Sequence, residues 1–184
     1  NPSAGAGISP DRPVYNISYF ESITFCNRLS LLSGLTPCYY FDRNFQIPFD
    51  TLASCLYNVV YIDVYTNESA DGYRLLFESE WEYAARGGRE NLIQTKYSGS
   101  NSVDEVAWYH GNNVPSGTKP VGSKLPNNIG VFDLSGNVIE WCFDWYAGYG
   151  SAFDGCVPFY WYPIRRGGEA WNNTFPNEKP RVAS

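Results

Sequence analysis

Helical periodicity marks two stretches of this chain, and glycine closes both of them. Ser18 followed by Glu21 forms a capping box, in which hydroxyl and carboxylate each satisfy an orphan backbone N–H at a helix start. The spacing predicts a helix from about Tyr19 to Ser33, with Ile23, Cys26 and Leu29 facing a core and Gly34 in the left-handed terminating position. A second helix is expected from Glu78 to Arg86, with Trp81, Ala84 and Ala85 on one face and Gly87-Gly88 ending it. Everything else reads as short strands and irregular chain: strands at 13–17 and 58–65, then the turn cluster 66–72 with a return strand 73–76 pairing back across it. A Gly/Asn/Ser-rich run follows to Asn128, with 106–109 and 120–122 as short ordered pieces. A Gly136-Asn137 turn then precedes a strand, and a last strand is expected at 157–162. Two helices, several short antiparallel strands and much loop define an α+β fold, with residues 1–12 as a Gly/Pro/Ser-rich tether and 13–184 as a single domain.

A chain of 184 residues can bury a sizeable core, and its 17% aromatic content puts many rings half-buried or on display, where they serve as rigid binding anchors. The net charge of −6 gives no electrostatic footprint for a phosphate backbone, so nucleic acid is excluded as a partner. No apolar run reaches the roughly 20 residues of a membrane span, and no signal peptide is present in this sequence, which says nothing against export. The absence of Met marks the chain as the inner part or processed form of a longer product, so a lipid anchor upstream stays open. Five cysteines without CxxC spacing imply neither a zinc site nor a complete disulfide framework; buried free thiols are the default, with one pair among Cys38, Cys55 and Cys156 left open. No heptad pattern argues for assembly, so a monomer is expected.

Catalytic constellations are scarce. His110, the one histidine, sits in a Tyr-His-Gly-Asn-Asn loop with no nucleophile elbow or activated cysteine beside it in sequence. Glu78, Glu80 and Glu82 alternate sides of a helix and read as a solvated face, and Gly5-Ala-Gly7 lacks phosphate-loop spacing. Alternation along 140–145 places Trp141, Phe143 and Trp145 on one core-facing side. The terminal stretch 162–184 mixes Trp, Phe, Asn, Glu and Lys around Gly167-Gly168 with no period, the composition of a displayed loop.

Four segments together resemble one family: Pro13 to Ser30, Tyr73 to Gly88, Pro120 to Trp141 (containing Ser-Gly-Asn-Val-Ile-Glu-Trp) and Arg166-Gly-Gly168. They are similar to the formylglycine-generating (sulfatase-modifying factor) family, and the resemblance implies an elaborated C-type lectin fold. Two departures matter. Leu76-Phe77 stands where the family has Pro-Thr, removing a Thr N-cap worth about 1 kcal/mol. Asn172 and Asn177 stand where the oxidase members carry copper-binding cysteines, and Asn supplies neither a thiolate ligand nor a redox couple.

The same fold group includes the variable proteins of diversity-generating retroelements, secreted or lipid-anchored bacterial surface proteins, spirochaete examples among them, whose segment around Arg-Gly-Gly is rewritten. That resemblance implies a non-enzymatic display protein with a variable segment from about residue 159. Its ligand site would comprise Tyr160, Trp161, Tyr162, Arg165, Ala170, Trp171, Asn172, Asn173, Phe175 and Asn177, meeting a variable ligand, expected to be a protein, at the bacterial cell surface. Two alternatives stand beside it: an enzyme of this fold with altered chemistry, and a carbohydrate-binding lectin of fixed specificity. No cofactor is expected, with one position open. Residues 135–140 resemble a stretch that holds calcium in oxidase members through backbone carbonyls and a Glu, although an Asn-Gly turn and a Glu140 hydrogen-bonded to backbone amides account for the same residues.

Overall fold

A computed structural model describes residues 9–50, 63–90, 93–115, 117–145 and 163–167. Its order is α1 (Tyr19–Leu32), β1 (Tyr39–Tyr40), β2 (Tyr65–Thr66), α2 (Glu78–Ala85), a 3-10 turn (Gly88–Glu90), α3 (Val103–Val106), β3 (Ile139–Trp145) and β4 (Pro163–Gly167). The α+β class stands, with the short α3 as a helix the periodicity did not announce. The chain forms two compact units, one of residues 16–75 and one of residues 1–15 with 76–184.

In the first unit, α1 begins as its sequence dictates. Ser18 Oγ accepts the Glu21 N–H at 3.2 Å, Glu21 Oε2 accepts the Ser18 N–H at 2.7 Å, and Gly34 ends the helix at φ +71°. Ile23 and Cys26 are buried, whereas Leu29 is only half-buried. Asn27 takes over the core: its Oδ1 accepts the N–H groups of Cys38 and Tyr39, and its Nδ2 donates to the carbonyls of Tyr39 and Phe49. Phe49 stacks on Phe20 and meets Phe41, so α1, β1 and the loop behind them share one apolar layer.

Two strand expectations fail here for one reason each. Residues 13–17 form no strand, because Asn16 adopts φ +59° and breaks the extended run. β2 pairs antiparallel with β1 (Tyr39 opposite Thr66), not with 73–76. Side chains already occupy the backbone donors of that return segment: Tyr73 N–H goes to Ser30 Oγ and Leu75 N–H to Tyr39 Oη. Of the strand expected at 58–65, residues 58–62 lie outside the described residues.

In the second unit, Trp81 and Ala85 of α2 pack with Leu134 and Cys142, and Ala84 lies against them. A separate cluster joins Tyr97 to Val103, Val106 and Ala107 around α3. β3 and β4 pair antiparallel with Glu140 opposite Arg166 and Ile139 opposite Gly167. Ser9 to Arg12, expected as tether, turn back so that the Asp11 carbonyl accepts the Val121 N–H at 2.7 Å.

Candidate functional site

The strand pair β3–β4 leads into the expected ligand segment, so what holds it determines how that segment starts. The buried face of β3 belongs to Cys142, which is 0% exposed, and not to Trp141 and Phe143, which are half-buried on the other side. This corrects the alternation argument: the narrow gap under α2 fits a thiol, while Phe143 packs edge-on against Phe77 with ring centroids 4.7 Å apart. The N-terminus of α2 lacks a side-chain cap from Phe77, but two carboxylates replace it. Glu80 Oε2 accepts the Phe77 N–H at 2.9 Å, and Asp144 Oδ2 from β3 accepts the Glu78 N–H at 2.5 Å.

Glu78 then ion-pairs with Arg166 of β4, both side chains half-buried. Burial lowers the Arg166 pKa from its ordinary value, and its Nε is buried without a hydrogen-bond partner among the described residues. The three glutamates of α2 are therefore not a solvated face: Glu78 holds β4, Glu80 caps the helix and Glu82 pairs with Arg86 at 2.7 Å. His110 is exposed. The thiols of Cys26 and Cys142 are pushed up by burial to about 11 and about 12, so neither is a nucleophile at neutral pH.

An open cleft of about 350 Å³ runs between Pro13, Val121 and Phe132 on its apolar side and Asp133 and Glu140 on its acidic side. Asp133 sits at φ +60°; its Oδ2 accepts the Gly122 N–H at 2.8 Å, and its Oδ1 is buried without a partner among the described residues. Glu140 accepts the Trp81 indole N–H at 2.5 Å. Burial raises the Glu140 pKa and the negative Asp133 raises it further, against the lowering effect of the Trp81 hydrogen bond. Asn137 is a brace: Oδ1 accepts the Lys119 N–H, Nδ2 donates to the Lys119 carbonyl, and its own N–H reaches the Trp108 carbonyl.

Among the described residues no group of three or more His, Cys, Asp or Glu side chains converges as a metal-ion site. The orphaned Asp133 oxygen and the Glu140 carboxylate in the same cleft are hard oxygen donors of the kind calcium takes, and they supply two of its roughly six to eight ligands. Asp133 and Glu140 would hold it, and the ion would supply charge neutralisation at the foot of β3. Asp133 is the residue that sequence reasoning missed; its signal was an acidic side chain just ahead of the Ser135-Gly136-Asn137 turn.

Of the predicted ligand residues, only Arg165 falls in a described element, as part of β4, and its side chain is outside the description. Tyr160, Trp161, Tyr162, Ala170, Trp171, Asn172, Asn173, Phe175 and Asn177 lie outside the described residues.

Comparison with known proteins completes the framework. A family model, the sulfatase-modifying factor enzyme 1-like domain, matches residues 3–181. The chain belongs to that family. Within the curated proteins, it is 38% identical over 163 residues to the chaperone protein LppX of Paenibacillus barcinonensis, covering 80% of this chain and 56% of the other. It is 36% identical over 89 residues to a formylglycine-generating enzyme of Thermomonospora curvata, covering 41% of this chain and 28% of that one. The chain therefore spans less than two thirds of the length of these relatives. Among solved structures, Treponema denticola variable protein 1 superposes with a TM-score of 0.75 at 30% identity, covering 100% of this chain and 70% of that one. CarF follows at a TM-score of 0.71 and 30% identity, over 91% of this chain and 59% of its own. The C-type lectin fold of the formylglycine-generating type is thereby established for this member of the family.

Proposed function

We propose that this family member is a non-enzymatic binding module, a rigid lectin-type scaffold in residues 13–184 preceded by a tether at 1–12 whose last residues, 9–12, turn back to bond Val121. Its segment from about residue 159 is diversified by a retroelement and displayed at a bacterial cell surface. Tyr160, Trp161, Tyr162 and Trp171 supply large contact area with few rotors; Asn172, Asn173 and Asn177 supply adaptable donors and acceptors, with Arg165, Ala170 and Phe175 between them. The carrying observation is the likeness to a variable protein over 100% of the chain, set beside Asn172 and Asn177, which cannot run thiol–copper oxidation. A relative that is a chaperone by name favours a polypeptide over a sugar as the ligand.

Sequencing sibling copies of the gene tests the reading. Substitutions concentrated after about Phe159, with Arg166, Gly167 and Gly168 unchanged, are expected; substitutions spread evenly along the chain overturn it. The enzyme alternative draws on the match to formylglycine-generating enzymes over 41% of the chain, and stoichiometric copper or iron in the purified protein is the result that favours it.

A further inference from the structure

Three thiols are described, Cys26, Cys38 and Cys142, all free and all buried. Cys142 packs with Trp81, Ala85 and Leu134 and has an apolar role. Cys26 and Cys38 are placed differently, because several hydrogen bonds draw their surroundings together within the first unit.

Cys26 lies one turn before Ser30 on the buried face of α1, and Ser30 Oγ donates to the Cys26 carbonyl at 2.8 Å. The same Oγ accepts the Tyr73 N–H at 2.8 Å. Cys38 Sγ donates to the carbonyl of the preceding residue, Gly72, at 3.3 Å. One peptide unit, Gly72–Tyr73, thus touches both the α1 turn that starts at Cys26 and the thiol of Cys38. From the other side, Asn27 Oδ1 accepts the Cys38 N–H at 3.1 Å, which keeps the Cys38 backbone within one side chain of the helix residue next to Cys26. These contacts set the Cys38 backbone beside the α1 turn that carries Cys26, close enough that charge at Cys38 is felt by the Cys26 thiol.

We propose that Cys26 and Cys38 are a dithiol pair that closes to an intramolecular disulfide when the chain folds under oxidising conditions. The oxidant is a disulfide, either a low-molecular-weight one or that of a thiol oxidase. The Cys38 thiol gives up its proton and its sulfur attacks the oxidant, breaking the S–S bond and releasing one thiolate. Cys26, not yet buried while the chain is folding, then loses its proton, and its sulfur attacks the Cys38 sulfur of the mixed disulfide and releases the second half of the oxidant as a thiolate. Two protein thiols lose two protons and two electrons, and one external disulfide becomes two thiols.

The Gly72 segment sets the timing. A Cβ on Gly72 would stand 2.1 Å from the Thr36 carbonyl, and Asp71 Oδ1 accepts the Thr36 N–H at 2.8 Å, so the segment is pressed over the site. Oxidation therefore accompanies folding and is slow once the segment has closed.

The full chain, unfolded with reductant and refolded in a glutathione redox buffer, provides the test. After blocking free thiols, trypsin leaves Cys26 in residues 1–28, Cys38 in 29–43, Cys55 in 44–74 and Cys142 with Cys156 in 125–165. A cross-link between peptides 1–28 and 29–43 is expected, together with a melting temperature several degrees above that of the reduced protein. In Cys26→Ser and Cys38→Ser the redox dependence of the melting temperature disappears. Recovery of both peptides singly blocked, or a link from Cys38 to peptide 44–74 or 125–165, overturns the proposal. Because peptide mapping uses the unaltered chain, a variant that fails to fold does not affect it.

Discussion

Asn27 meets four backbone groups with one amide, which is the full capacity of its two donors and the two lone pairs of its carbonyl. Truncation would leave the N–H groups of Cys38 and Tyr39 and the carbonyls of Tyr39 and Phe49 without that partner in a buried site. Asn27→Ala is accordingly expected to destabilise the protein by about 2–4 kcal/mol, read by denaturant unfolding. Glu140 has the opposite character, because its burial opposes the charged form. A carboxyl whose folded pKa is raised contributes stability below its unfolded pKa, and that contribution is lost as pH rises through the raised value. Glu140→Gln, which keeps an oxygen for Trp81, should raise the melting temperature of the calcium-free protein at pH 7 and flatten its fall above the carboxylate range. Calcium should raise the melting temperature of the wild type at pH 7 and have a much smaller effect on the variant. An equal calcium response in both would remove Glu140 from the cation site.

At the scale of elements, α2 acts as a clamp on the β3–β4 pair. Its first turn binds β3 through Asp144 and β4 through Arg166, and its buried face packs on Cys142. Removing the Glu78 carboxylate leaves a half-buried guanidinium without this ion pair, so Glu78→Ala should cost about 1–3 kcal/mol. Hydrogen exchange is the sharper measurement: protection at Arg165 to Gly167 should fall while protection within α1 is unchanged. Uniform loss across both elements would mean that Glu78 supports the fold generally and does not hold β4. The capping box and Gly34 fixed α1 to within a residue, since those signals are local. The pairing of β2 was not legible, because the donors of 73–76 are taken by Ser30 and Tyr39, far away in sequence.

At the scale of the molecule, family membership and fold follow from motifs that need no coordinates: the segments around Ser18, Trp81, Gly136 and Arg166 are each tied to local backbone demands such as caps, turns and left-handed residues. The replacement of the oxidase cysteines by Asn172 and Asn177 is likewise a fact of the sequence, and it governs the functional reading. Tertiary structure alone decided which carboxylates meet. Glu78 faces Arg166, Asp144 replaces the missing N-cap, Asp133 joins Glu140, and Cys38 comes alongside the α1 turn that carries Cys26. Periodicity reports which face of an element is apolar; it does not report which distant segment covers that face. Partners far apart in the chain are chosen by packing and by the need to satisfy buried polar groups, and both exist only once the chain has folded.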